Sequence, residues 1–166
     1  MDIFVVRDFI QQFGLYLQVM ACLAYILNFR RADTFVYLCV GILLLTPAHY
    51  VYEQYLLELA ILPENQAFVR NAWYIGFAIT DIAFVAIVVL LARKAQLKFD
   101  FASKVLAYSF VSLAFIQLFR YVDRIVLETD MLGWFYRTSV PTINSGVTLL
   151  IVVFTLGMIA ADGRRD

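Results

Sequence analysis

The stretch IGFAITDIAFVAIVVLLA (residues 75–92) decides the class of this protein, because it runs for 18 residues with one charged side chain, Asp81. A helix of about 20 apolar residues is long enough to cross the hydrocarbon core of a bilayer. Backbone surrounded by lipid must satisfy its own hydrogen bonds, and a helix does so within the segment. The stretch therefore predicts a transmembrane helix.

The rest of the chain has the same character. Of its 166 residues 63% are hydrophobic and 16% are charged, whereas a soluble domain is about half apolar and about a quarter charged. The apolar runs are separated by short polar turns such as RRAD (residues 30–33) and PEN (residues 63–65). We predict an all-α, polytopic integral membrane protein, one transmembrane domain over residues 1–166, with five spans at about 9–29, 34–62, 67–92, 101–127 and 134–161.

Charge in the connecting segments predicts the orientation. Basic residues follow the first, third and fifth spans, whereas the turns after the second and fourth spans, PEN and ETDMLG (residues 128–133), are acidic. Basic loops stay in the cytoplasm, so we expect the N-terminus outside and the C-terminus in the cytoplasm. Trp73 and Trp134 agree, because they lie near the expected outer ends of spans three and five. The pattern is typical of a bacterial inner membrane protein.

Two polar stretches interrupt the apolar helices at matching places. HYVYEQYLLE (residues 49–58) and RYVDRIVLE (residues 120–128) align if one residue is skipped, which pairs His49 with Arg120 and Glu53 with Asp123. After the next turn, FVR (residues 68–70) resembles FYR (residues 135–137). Spans two and three are therefore predicted to be a diverged copy of spans four and five.

Several classes of function lack their sequence signals. Thirteen basic and thirteen acidic residues cancel, so no charged footprint for nucleic acid exists. One histidine and no C-x-x-C pair exclude a bis-histidine haem and leave Cys22 and Cys39 as expected core residues. No nucleotide-binding or hydrolase motif occurs, and we predict neither a metal nor another cofactor.

The ionisable residues of the spans predict a polar pocket in the outer half of the bundle. Each costs about 2.5–3.5 kcal/mol at the centre of a membrane, so such residues normally face the bundle interior and find partners. Helical spacing groups Gln117, Arg120 and Arg124 on one face of span four, and Asp81 lies mid-span in span three, with Arg120 as its first expected partner and His49 as its second. Five residues lie close enough to the outer helix ends to serve instead as interfacial anchors: Glu58, Arg70, Glu128, Asp130 and Arg137. The predicted pocket residues are His49, Glu53, Arg70, Tyr74, Asp81, Gln117, Arg120, Asp123, Arg124 and Asn144.

Two functions fit such a pocket. The first is a binding or accessory module, with no enzymatic activity, that takes a small ligand, a lipid headgroup or a partner membrane protein, a second copy of the chain included. The alternative is a proton-coupled carrier or intramembrane enzyme that uses Asp81, His49 and Glu53. Pro47 and Pro141 favour the alternative, because each removes a backbone hydrogen bond beside polar residues. An Asp81–Arg120 pair could also serve only to fix the register of the bundle.

Overall fold

The computed structural model describes residues 3–28 and 33–162, with side chains from residues 13–28 and 33–161, and these ranges form helices and short turns without strands. A three-residue 3₁₀ turn, Pro63–Asn65, precedes the third helix, and a π-helical turn, Val122–Val126, ends the fourth. The helices are α1 (Ile3–Asn28), α2 (Thr34–Leu59), α3 (Gln66–Lys94), α4 (Phe101–Tyr121) and α5 (Gly133–Asp162).

Four of the described helical segments are long and apolar enough to cross a membrane: Thr34–Leu59, Pro63–Lys94, Phe101–Val126 and Gly133–Ala161. Large apolar side chains cover their outer surfaces, as Leu44, Leu90 and Leu149 illustrate with exposures of 70%, 64% and 63%. A soluble protein rarely exposes so much contiguous apolar surface, whereas lipid solvates it. The all-helical membrane class is therefore confirmed. In α1 the apolar part that is described, Phe13–Asn28, is shorter.

The helix ends follow local sequence signals. Asp33 caps α2 by accepting a hydrogen bond from the Val36 amide (2.8 Å), and Asp100 caps α4 by accepting one from the Ser103 amide (2.7 Å). Helices α2 to α5 begin within one residue of the starts predicted for spans two to five. Their ends differ more: α2 ends at Leu59 against a predicted residue 62, and α4 ends at Tyr121, or at Val126 with the π turn, against a predicted residue 127. The predicted turn after span one falls on residues 29–32, outside the described residues.

Helix packing separates an apolar half from a polar half. α3 packs most extensively against α4, and α1 packs against α5.

We call the end with the turns at residues 60–65 and 127–132 the acidic end, and the end with the turn at residues 95–100 the basic end. Towards the basic end an aromatic core joins Tyr25, Phe35 and Phe154, with ring centroids 4.7 Å and 4.5 Å apart. Cys22 and Cys39 are fully buried in this core as free thiols, as expected.

Candidate binding site at the acidic end

Arg120 is the central charge of the acidic end. It is 8% exposed, and it pairs through Nη1 with Asp123 one turn later and through Nη2 with Asp130 in the α4–α5 turn. The expected pair between Asp81 and Arg120 is not formed, since the guanidinium is occupied by two carboxylates closer to its own end of the helix. The hydrogen bond from Arg120 is the main cause of an Asp130 pKa below the usual range of aspartate.

Asp123 ties the end of α4 to the start of α5. Besides Arg120, its carboxylate accepts hydrogen bonds from the Thr129 hydroxyl and from the amides of Met131 (3.2 Å) and Leu132 (3.1 Å). The Thr129 amide also donates to the Asp123 carbonyl (2.9 Å). A buried charge with this many donors is fully satisfied, so Asp123 acts as a structural clamp on the turn.

A π-helical turn changes the face on which Arg124 lies. The Leu127 amide donates to the Val122 carbonyl (2.9 Å), five residues earlier, instead of four as in an α-helix. Gln117 and Arg120 are buried, whereas Arg124 is exposed. The sequence prediction that these three share one face is therefore wrong for Arg124, because it assumed α-helical spacing to the end of the span.

Three helices meet in a polar and aromatic cluster below this turn. The Tyr136 hydroxyl of α5 donates to Gln117 Oε1 of α4 (3.0 Å) and accepts from Trp73 Nε1 of α3 (3.4 Å). Tyr74 lies edge-on to Tyr136, with ring centroids 5.8 Å apart. Tyr74 and Gln117 were predicted as site residues. Tyr136 was not singled out, although its position one turn into α5 makes it the group that joins the other two.

His49 is in contact with α3 and not with α4. Its Nε2 lies 2.7 Å from the Thr80 hydroxyl, which itself donates to the Gly76 or Phe77 carbonyl (3.0 Å each). A hydroxyl has one proton to donate, so we assign the proton of this contact to His49 Nε2. In the neutral imidazole, Nδ1 is then the nitrogen that carries no proton. The His49–Asp81 contact expected as the second choice is not formed among the described residues.

Asp81, Glu53 and Asn144 stay apart from these clusters. Asp81 is 4% exposed and therefore does not face lipid, yet its carboxylate has no hydrogen-bond or ion-pair partner in the described part of the chain. Glu53 is half-buried and likewise has no such partner there. Asn144 is exposed, and its carbonyl accepts from the Thr148 hydroxyl (3.2 Å).

A polar cleft opens at the acidic end between the start of α3 and the π turn of α4. It has a volume of about 380 Å³. Neither Arg70 nor Arg124 has a carboxylate within 4.0 Å among the described residues, although both are charged and close to the same opening. This cleft brings together two predicted site residues, and its other polar members, Asn71 and Glu128, were not among the predicted pocket residues. The lining residues are Ala67, Arg70, Asn71, Arg124, Ile125 and Glu128.

No family model matches this chain, and no curated protein or solved structure is significantly similar to it. The assignment of a site therefore depends on the chemistry of the chain itself. In that chemistry the Arg120 guanidinium is already paired with two carboxylates, whereas the cleft holds two cationic side chains that no described carboxylate pairs with.

The described side chains give little support to other kinds of site. No group of three or more His, Cys, Asp or Glu residues within the described ranges is arranged to hold a metal ion. Pro47 and Pro141 lie inside α2 and α5 without breaking them, and both side chains are exposed on the outer surface of the bundle. These prolines therefore do not open a backbone site towards the interior of the described bundle.

An open apolar groove of about 560 Å³ beside Pro47 runs along α2 to Tyr55.

Proposed function

We propose that this protein is a multi-pass membrane protein that acts as a binding or accessory module, and that its site is the cleft between Arg70 and Arg124. The observation that carries the proposal is the pair of guanidinium groups that have no carboxylate within 4.0 Å among the described residues. Arginine stays protonated at any physiological pH and can hold an anion but not exchange protons with it. This chemistry favours binding over catalysis.

The orientation that goes with this proposal places the acidic end outside a bacterial inner membrane. Basic side chains lie at the other end, where Arg93 and Lys94 close α3 and Lys98 and Lys104 follow. The positive-inside rule then keeps the basic end in the cytoplasm. We further propose α1 as a fifth span and the two hairpins, α2–α3 and α4–α5, as copies of one unit. A cysteine at residue 65 should react with an impermeant thiol reagent outside intact cells, and one at residue 96 should not.

Native mass spectrometry of the protein extracted in mild detergent tests the binding function. We expect the wild-type protein to retain a ligand or partner that the double variant Arg70→Ala/Arg124→Ala loses. The matched control is Arg137→Ala, because Arg137 is also an exposed arginine of the acidic end but does not line the cleft. Equal retention by all three proteins would contradict the proposal.

A second function, proton-coupled transport or intramembrane catalysis, is supported by one specific observation. The Asp81 carboxylate is buried in the middle of α3 without a described partner, and such a group is costly unless it is protonated or serves a purpose. Proton flux into vesicles that contain the protein, measured with a pH-sensitive dye, tests this alternative. Flux that is abolished in Asp81→Asn and retained in Arg70→Ala/Arg124→Ala would favour transport over binding.

A further inference from the structure

We propose that the cleft binds the phosphate of a phospholipid headgroup, with the arginines on the phosphate and Glu128 on a headgroup amine. This inference rests on the proposed function and names the ligand of that site. Its starting point is the charge of the lining: two guanidinium groups, one amide and one carboxylate. The cleft therefore carries a net positive charge with one acidic position, which is the complement of a phosphate that bears a nearby ammonium group.

Arg70 lines the cleft, and its terminal nitrogens have no described partner. Its Nε donates weakly to the Gln66 carbonyl (3.4 Å), one turn earlier in α3. This contact occupies the inner nitrogen of the guanidinium and leaves both Nη groups without a described partner. Planar Nη pairs match two phosphate oxygens at once, which a lysine cannot do.

Arg124 lines the cleft from within the π turn. With α-helical spacing, this side chain would stack on the same face as Arg120, within reach of the acids that neutralise it. In the structure Arg120 is buried and paired with Asp123 and Asp130, while Arg124, in the π turn, is exposed beside Ile125. Arg120 therefore stabilises the end of α4, whereas Arg124 is accessible to a ligand.

Glu128 occupies a backbone conformation that side chains rarely adopt. Its φ is 54°, in the left-handed region, where helices usually place glycine after their last turn. Retention of a glutamate at such a position costs free energy, and strain of this kind is often found at binding sites. The carboxylate of Glu128 lines the cleft beside the arginines without being close enough to pair with either.

The depth of the cleft favours a lipid over soluble phosphate. Arg70 lies four residues into α3, which corresponds to about 6 Å of helix. About 20 residues are enough to cross the hydrocarbon core, and α3 has 29, so a position this close to its end fits the headgroup level just outside the core. Phe68 and Leu127 flank the lining residues along the chain, and they are 59% and 62% exposed. A lipid that places its phosphate in the cleft can lay its acyl chains on this apolar surface, which an inorganic phosphate ion cannot use.

Thermal unfolding in detergent with added probes tests the inference, because a ligand that binds the folded state raises Tm. The probes are phosphatidylethanolamine, phosphatidylglycerol, diacylglycerol with the same acyl chains, and sodium phosphate. We expect a rise in Tm with both phospholipids, larger with phosphatidylethanolamine, and none with diacylglycerol or sodium phosphate. Arg70→Ala/Arg124→Ala should weaken phospholipid binding by about tenfold or more, since charge-assisted hydrogen bonds are lost.

Three further variants separate the parts of the argument. Arg137→Ala should bind as the wild type does. Glu128→Gln should lose only the preference for phosphatidylethanolamine over phosphatidylglycerol, because it keeps the shape but not the charge. Arg70→Lys/Arg124→Lys should retain part of the binding, since the charges stay but the paired hydrogen bonds are lost.

The outcomes distinguish this inference from the proposed function. A rise in Tm with sodium phosphate equal to that with the phospholipids would support phosphate recognition but overturn a lipid source. An equal rise with diacylglycerol, or an equal loss in Arg137→Ala, would overturn the inference. If no phosphate probe binds but a co-purified partner is still lost in Arg70→Ala/Arg124→Ala, the inference fails and the binding function stands. If neither occurs, both fail.

Discussion

The polar stretches of α2 and α4 are similar in sequence but differ in structure. In α4 a dense network holds Arg120, Asp123 and the following turn, and the helix changes to a π turn there. In α2 the helix continues regularly to Leu59, with polar contacts from His49 and Tyr52 to α3 and a half-buried Glu53 that has no described partner. The comparison teaches that equal charge patterns do not give equal roles. What differs is the turn that follows each stretch.

The largest expected difference between the two stretches is in stability. Asp123→Ala removes one of the two carboxylates that pair with buried Arg120 and the acceptor of the Met131 and Leu132 amides. We expect a loss of about 3–5 kcal/mol in the free energy of unfolding, the usual effect of breaking a buried ion pair. Glu53→Ala, its counterpart in α2, should cost about 1 kcal/mol or less, because no described contact is lost.

Chemical denaturation of both variants in the same detergent measures this difference. Similar losses at the two positions would show that Glu53 is held as firmly as Asp123, and the distinction between the two stretches would have to be abandoned.

A smaller effect is expected at the contact between His49 of the α2 stretch and Thr80 of α3. Thr80→Val removes the acceptor of His49 Nε2, and His49 would be left without its described hydrogen bond. We expect a loss of about 1 kcal/mol, the usual net worth of a hydrogen bond. Thr142→Val is the matched control, since the exposed Thr142 hydroxyl bonds only to a carbonyl of its own helix (2.7 Å). A control that loses as much stability in thermal unfolding would mean that the His49 contact contributes nothing.

The sequence predicted the helices well and the site only in part. Helix bounds follow from apolar runs and from local signals such as Asp33, Asp100 and Pro63, all readable from neighbouring residues. The π turn is not readable in this way, because it depends on amides eight and nine residues after Asp123 that donate to its carboxylate. The sequence likewise predicts an ion pair between Asp81 and Arg120 from their similar depth alone. In the fold the turn after α4 brings Asp130 to Arg120 instead.

A change of opposite sign is expected at Glu128. Glu128→Gly relieves the left-handed conformation, which costs a side chain about 1–2 kcal/mol, and the added freedom of glycine in the unfolded chain offsets part of that gain. We expect a net stabilisation of about 0.5 kcal/mol together with loss of the preference for phosphatidylethanolamine over phosphatidylglycerol. Gln96→Gly is the control, because Gln96 has a similar φ of 55° after α3 but lies at the basic end. It should gain stability in the same unfolding measurement without any change in binding.

The smallest effect concerns pH. Arg120 lowers the pKa of Asp130 in the folded protein, so the stabilisation from this carboxylate is present above the ordinary pKa of aspartate and is lost as the pH falls through the lower folded value. Thermal unfolding from pH 7 down to about pH 3 should therefore show a slightly weaker dependence on pH in Asp130→Asn than in the wild type. An unchanged dependence would mean that Arg120 relies on Asp123 alone.

The central claim is that the cleft at the acidic end is a binding site while the Arg120 cluster beside it is structural. A cryo-electron microscopy structure of the protein in nanodiscs that contain phosphatidylethanolamine tests this claim most directly. The account predicts headgroup density with phosphate oxygens within about 3 Å of Arg70 and Arg124, and Arg120 still paired with Asp123 and Asp130. A cleft closed by ion pairs from Glu128 to the two arginines, with no headgroup density, would contradict it.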